Sequence, residues 1–113
     1  MSLYSLTTRY IDAFNDRDIE TVSSMLSDNA VLEDPANTFV GKQDVIEEVK
    51  GLFSAETLIF SPTGVFVDED NSTSVIEFLI TVNDDKLAGV DIITWENNLM
   101  TSLRAYVYPA KGN

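Results

Sequence analysis

Residues 74–108 read SVIEFLITVNDDKLAGVDIITWENNLMTSLRAYVY, and the architecture of the chain is decided in that stretch. Three runs rich in β-branched and aromatic residues, Ser74 to Val82, Leu87 to Trp95 and Leu99 to Tyr108, are separated by polar clusters at Asn83-Asp84-Asp85-Lys86 and Glu96-Asn97-Asn98. Runs of this kind bounded by Asn and Asp read as strands joined by hairpin turns. Just upstream, Thr57 to Val67 reads as another strand, with a bulge or bend expected at Ser61-Pro62-Thr63-Gly64. Asp68-Glu69-Asp70-Asn71 is the polar turn between them.

The remaining part of the chain has a different period. Leu3, Leu6, Tyr10, Ala13 and Phe14 recur at spacings of three and four, the stripe of a first helix that ends near Asn15-Asp16. Asp18 reads as the N-cap of a short second helix that turns Ile19, Val22 and Leu26 inward. Ala30 to Asp34 reads as a short strand closed by Pro35, and Gly41 punctuates the loop that follows. Val45, Ile46, Val49, Leu52 and Phe53 then give the clearest amphipathic helix of the sequence. Three N-terminal helices followed by a meander of long strands is an α+β order. A curved antiparallel β-sheet wrapped over those helices encloses a cone-shaped cavity, and residues 1–113 have the length of a single domain.

Composition narrows the chemistry. The chain has 7 Lys+Arg against 19 Asp+Glu, a formal charge of −12, and neither His nor Cys. A chain so charged would stay unfolded if it were poor in apolar residues, but at 44% hydrophobic it has the material for a core. Without His there is no imidazole base, catalytic triad or His-ligated metal; without Cys there is no disulfide, zinc-thiolate site or thiol nucleophile. The acidic balance excludes nucleic acid as a partner and disfavours anionic membranes and anionic substrates. No run approaches the ~20 apolar residues needed to span a bilayer. The N-terminal MSLYSLTTRY lacks the basic and apolar regions of a signal peptide, so the expected location is cytoplasmic.

Three residues sit oddly in their local patterns. Asp91 lies in the apolar run AGVDIITW, with apolar neighbours on both faces, and is buried whichever face looks inward. Two readings are open: a buried carboxylate satisfied by backbone or Ser/Thr donors, or a carboxylic acid kept neutral as a hydrogen-bond donor. Asp34 precedes Pro35 and could simply open a turn, yet strand alternation puts it on the face of Leu32, at the rim of a cavity. Tyr10 lies on the apolar stripe of the first helix, either as core with its hydroxyl at a wet edge or as a phenol aimed into the cavity.

Tyr10 in TRYIDAFNDRDIE, Asp34 in AVLEDP and Asp91 in AGVDIITW followed by TSLRAY resemble, in order and over nearly the whole chain, the Δ5-3-ketosteroid isomerases of the NTF2-like, or SnoaL-like, superfamily. The resemblance implies the cone-shaped NTF2-like fold and a cofactor-free, metal-free isomerase that shifts a double bond in a small neutral ketone. It assigns Asp34 as the proton-shuttling base and Tyr10 with a protonated Asp91 as the oxyanion hole, the division of labour known for that family. To donate at pH 7, Asp91 must have its pKa raised from about 3.9 to beyond 7, a cost of roughly 4 kcal/mol. Phe14, Phe53, Trp95 and Leu103 are the expected lining of the substrate pocket. The loop from Asp34 to Gly41 and the hairpin around Asp84 look shorter than in the steroid enzymes, which implies a smaller mouth. Leu26 and Val49 stand where some members carry further tyrosines, and Trp95 where phenylalanine is usual. The superfamily also implies two alternatives: a SnoaL-like cyclase or aldolase using the same base, and a non-catalytic small-molecule binding protein. A homodimer is expected through the outer sheet face, with Met100, Arg104, Tyr106 and Tyr108 on it.

Overall fold

Helix α1 spans Leu3–Asn15, capped by the Ser2 hydroxyl, which accepts from the Ser5 backbone N–H at 3.1 Å. The stripe read from the sequence is the buried one: Leu3, Leu6, Tyr10, Ala13 and Phe14 all face the core. Helix α2 is a short segment, Ile19–Ser24, with Asp18 as its N-cap. The computed structural model describes residues 1–111, so residues 112–113 of the single-domain reading lie outside the described residues.

Strand β1, Leu26–Glu33, begins as soon as α2 ends, so Leu26 opens a strand instead of closing a helix. It turns through Asp34 to Asn37 into β2, Thr38–Val40, three residues whose local pattern reads as loop. Helix α3, Lys42–Phe53, follows Gly41, whose φ of 94° is the left-handed backbone that favours glycine. The meander then runs β3 Leu58–Asp68, β4 Thr73–Val82, β5 Asp85–Glu96 and β6 Leu99–Pro109.

These strands form one six-stranded sheet in the order β2-β1-β6-β5-β4-β3. The sheet is mixed, which corrects the all-antiparallel expectation: β1 pairs in parallel with β6, from Leu26 beside Met100 to Glu33 beside Arg104. A parallel pair needs a long crossover, and everything from β2 to β5 supplies it. Pro62 falls in β3, an edge strand, where its missing N–H leaves no central ladder bond unmade.

Two bulges decide which side chains look inward. In β3, Pro62 stands opposite Phe78 but Gly64 opposite Glu77, so Thr63 is the extra residue at the expected site. Inward parity changes there from Leu58 and Phe60 to Val65 and Val67. In β6, Trp95 pairs with Met100 but Thr94 with Ser102, leaving Thr101 as the extra residue. Strict alternation placed Met100 on the outer face with Arg104, Tyr106 and Tyr108; the bulge instead buries it, 1% exposed, beside the inward-facing Leu103. At Gly89, β6 comes so near that a Cβ would run into the Tyr106 carbonyl, which only glycine permits where the sheet curves.

Helices α1 and α3 pack on the concave face, and α2 lies against both of them. Helix α1 is fixed to that face by a buried hydrogen-bond chain: Trp95 Nε1 donates to Ser74 Oγ at 2.9 Å, and Thr7 Oγ1 lies 2.8 Å from Ser74 Oγ and 2.6 Å from the Leu3 carbonyl. Thr7 has one hydroxyl proton for two contacts. If Thr7 gives it to Leu3, Ser74 donates to Thr7 and still accepts from Trp95. Ser74→Ala therefore strands the buried Trp95 N–H, and we expect a loss of about 1–3 kcal/mol in denaturant unfolding followed by the fluorescence of this single tryptophan. An unchanged midpoint would mean the hydrogen bond contributes nothing.

Candidate active site

Between α1, α3 and the concave face of the sheet lies a cavity of about 240 Å³. Of the 16 described residues that line it, 12 are apolar and four are polar: Tyr10, Asp34, Glu48 and Asp91. No Lys or Arg is among them. Its floor and one wall are aromatic, with Phe14 and Phe60 centroids 5.3 Å apart and Phe60 and Phe78 centroids 4.7 Å apart.

Asp91 and Tyr10 occupy the deep end. Alternation along β5 turns Gly89, Asp91, Ile93 and Trp95 inward, and Asp91 is 6% exposed between its register partners Ile76 and Ala105. Helical periodicity brings Tyr10, 4% exposed, to the same cavity from α1. Among the described residues neither side chain makes a protein hydrogen bond, and both line the cavity, where their polar tips are left for whatever occupies it. Burial pushes the Asp91 carboxyl up to about 7, so near neutrality a large share of it is protonated. Burial, and then the charge Asp91 carries when ionised, raise the Tyr10 phenol well above its ordinary range. Tyr10 is accordingly a donor, and Asp91 becomes a second one whenever it holds its proton.

Asp34 and Glu48 occupy the open end, both only partly buried. Asp34 closes the β1–β2 turn: its Oδ1 accepts from the backbone N–H groups of Ala36 at 2.8 Å and Asn37 at 2.7 Å. Among the described residues nothing donates to its second oxygen, Oδ2. The same side chain thus closes the turn through Oδ1 and lines the cavity. Glu48 comes from α3, where Glu48, Val49 and Leu52 fall on one face and form a wall.

The other two anticipated lining residues lie elsewhere. Phe53 stands behind Phe14, edge-on at 5.2 Å, and supports the wall from outside. Trp95 is drawn away from the cavity by its bond to Ser74. Phe14 and Leu103 do line it. The sequence reading missed Glu48 and the supports that hold the walls: the Asn15 amide bridges both backbone groups of Phe60, at 2.8 and 3.0 Å, and the Arg17 guanidinium donates to the Phe53 and Ala55 carbonyls at 2.6 Å each. A polar pair just past an amphipathic stripe was the available signal for the last two, since Arg17 caps the C-terminal carbonyls of a helix distant in sequence.

Among the described residues no group of three or more His, Cys, Asp or Glu is placed to hold a metal ion, and no helix is long and apolar enough to cross a membrane. A carboxylate, a phenol and a buried carboxyl that donates when it holds its proton, gathered in a largely apolar cavity, are the groups that proton removal beside a carbonyl calls for.

Comparison with known proteins agrees with this architecture. The family model for the SnoaL-like domain matches residues 7–103. An NTF2-like protein of unknown function from Cytophaga hutchinsonii superposes with a TM-score of 0.85 at 16% identity, over 96% of this chain and 92% of that one. A protein named as a candidate ketosteroid isomerase from Kribbella flavida gives 0.82 at 18% identity, over 98% and 81%. One named as a candidate polyketide cyclase from Sinorhizobium meliloti gives 0.80 at 16% identity, over 89% and 93%. At these identities the likeness is one of fold. No curated protein sequence matches the chain.

Proposed function

Because the chain belongs to the SnoaL-like domain family, we propose that its single cone-shaped domain is a cofactor-free isomerase, shifting a double bond in a small β,γ-unsaturated ketone through an enolate. The observation that supports this most is the buried Asp91, which shares a mostly apolar cavity with Tyr10 and Asp34 and has no protein partner of its own among the described residues. Asp34 Oδ2 takes the proton from the carbon between the carbonyl and the double bond. The C–H electron pair becomes the new double bond of a dienolate, and the carbonyl π pair moves onto oxygen. Tyr10 O–H and neutral Asp91 donate to that oxygen. Asp34 then returns the proton to the γ-carbon, which leaves the conjugated ketone.

Size sets the substrate class. A cavity of ~150 Å³ is enough for benzene, and 240 Å³ holds a molecule between one and two six-membered rings. A four-ring steroid would project far beyond the mouth. The test is conversion of β,γ-cyclohexenone to its conjugated isomer, followed by ultraviolet absorbance, with a steroid-sized β,γ-enone in parallel. We expect turnover of the small ketone and little of the large one. No conversion of any ketone, while a phenol still binds as an enolate mimic, would overturn the isomerase and leave a binding protein. That second reading has its own support, because Asp34 already spends one oxygen on its turn. The cyclase reading keeps the same base and enolate but lets the enolate attack within one substrate.

The outer face of the sheet leaves Phe66, Leu79, Tyr106 and Tyr108 about half exposed. A second copy is the partner we infer for it. With −12 on each chain, pairing should tighten as salt screens the repulsion; a monomer in sedimentation at high salt would contradict it.

A further inference from the structure

The two ends of the cavity differ in chemistry. The deep end offers neutral hydrogen-bond donors, suited to a carbonyl or enolate oxygen. The open end offers carboxylates, and one of them, Glu48, has no part in the proton transfer just described. Glu48 projects from α3 into the same wall as Val49 and Leu52, partly buried. Among the described residues it makes no ion pair; the recorded pair of α3 joins its neighbours Glu47 and Lys50 at 3.7 Å. Among the described residues this carboxylate on an otherwise apolar wall has no cation beside it in the cavity lining and no hydrogen-bond partner. A ligand that reaches the mouth with a positive charge would supply one.

We propose that Glu48 is a specificity-determining residue: the molecule bound in this cavity carries its carbonyl at the deep end and a protonated amine at the outer end, where Glu48 binds it. This rests on the enolate site proposed above and names the substrate class more narrowly, as an amino-substituted, single-ring β,γ-unsaturated ketone. Three further features agree. The 240 Å³ volume accommodates one ring bearing a short aminoalkyl chain. The chain's net charge of −12 draws cations toward the mouth and repels anions. Asp91, 6% exposed and without a protein hydrogen bond among the described residues, marks the far end of the cavity as a place for a polar ligand group.

The test uses three phenols as enolate mimics that differ only at the outer end: para-ethylphenol, its terminal amine tyramine, and the corresponding carboxylate with a propanoate chain. Each is titrated calorimetrically into the wild type, Glu48→Gln and Asp34→Asn at low salt and pH 7. The wild type should bind tyramine about tenfold more tightly than para-ethylphenol, the worth of one hydrogen bond to a charged partner, and the carboxylate most weakly. In Glu48→Gln the gain for tyramine should vanish while para-ethylphenol binds as before; in Asp34→Asn the gain should persist. Failure of every phenol to bind the wild type would overturn the enolate site itself. Binding of para-ethylphenol without a gain for tyramine would overturn only the role of Glu48. So would a gain that survives Glu48→Gln, a gain removed by Asp34→Asn, or a Glu48→Gln protein that has lost para-ethylphenol as well.

Discussion

Asp91→Asn will be more stable than the wild type above pH 7, by up to about 4 kcal/mol, and equally stable near pH 4. The carboxyl titrates near its ordinary value of 3.8 in the unfolded chain but at about 7 when buried in the cavity. Between those values the folded protein holds a proton that the unfolded chain has released. Stability therefore falls as pH rises from about 4 to 7, and the loss is complete once folded Asp91 ionises. Asparagine has the same shape and no charge, so it removes that loss. Other acidic groups on this −12 chain also repel one another more as pH rises, which makes the difference between variant and wild type the quantity to follow. Denaturant unfolding at intervals from pH 4 to 8 should give two curves that part steadily; parallel curves would mean that Asp91 is not strained by its burial. Activity should separate in the opposite way. The wild type loses its second donor above pH 7, while the Asn amide still donates weakly at all pH values, so the variant is slower but loses the alkaline fall. Removal of one oxyanion donor outright costs ~10²–10³ in rate.

Asp34→Asn should be the more damaging change to turnover, with a fall of ~10²–10⁴, the usual worth of a positioned general base. Asparagine is the informative substitution because its side-chain oxygen can still accept from Ala36 and Asn37 and keep the β1–β2 turn. Thermal melts should consequently match the wild type, and para-ethylphenol should bind at least as well, since a charge at the rim is gone while both deep donors stay. Turnover within about threefold of the wild type, beside an intact fold, would remove Asp34 from the mechanism.

How much of this was legible follows from what each residue's environment depends on. Helices α1 and α3 and strands β4 to β6 are written in local periodicity, because each buries one face along its own length. The parallel β1–β6 pairing and the three residues of β2 depend on partners distant in the chain, and no local pattern encodes them. Met100 shows the same limit in one side chain: a single extra residue, Thr101, reverses the inward parity of β6. In the site, Tyr10 and Asp91 stand out because each is a polar group where the pattern demands an apolar one. Glu48 does not, since it sits beside Glu47 and Lys50 and reads as one more solvated charge until the sheet curves over α3. Trp95 looked like a lining residue by face and size, but Ser74 supplies the acceptor its N–H needs and holds it away.

The mechanism depends on carbon acidity, which proton exchange in D₂O reads without requiring the double bond to move. A monocyclic β,γ-enone incubated with protein should lose its α-hydrogen signal by nuclear magnetic resonance with the wild type and keep it with Asp34→Asn. Exchange at the same rate with both proteins, or with neither while para-ethylphenol still binds, would contradict an enolate formed by Asp34 and held by Tyr10 and Asp91.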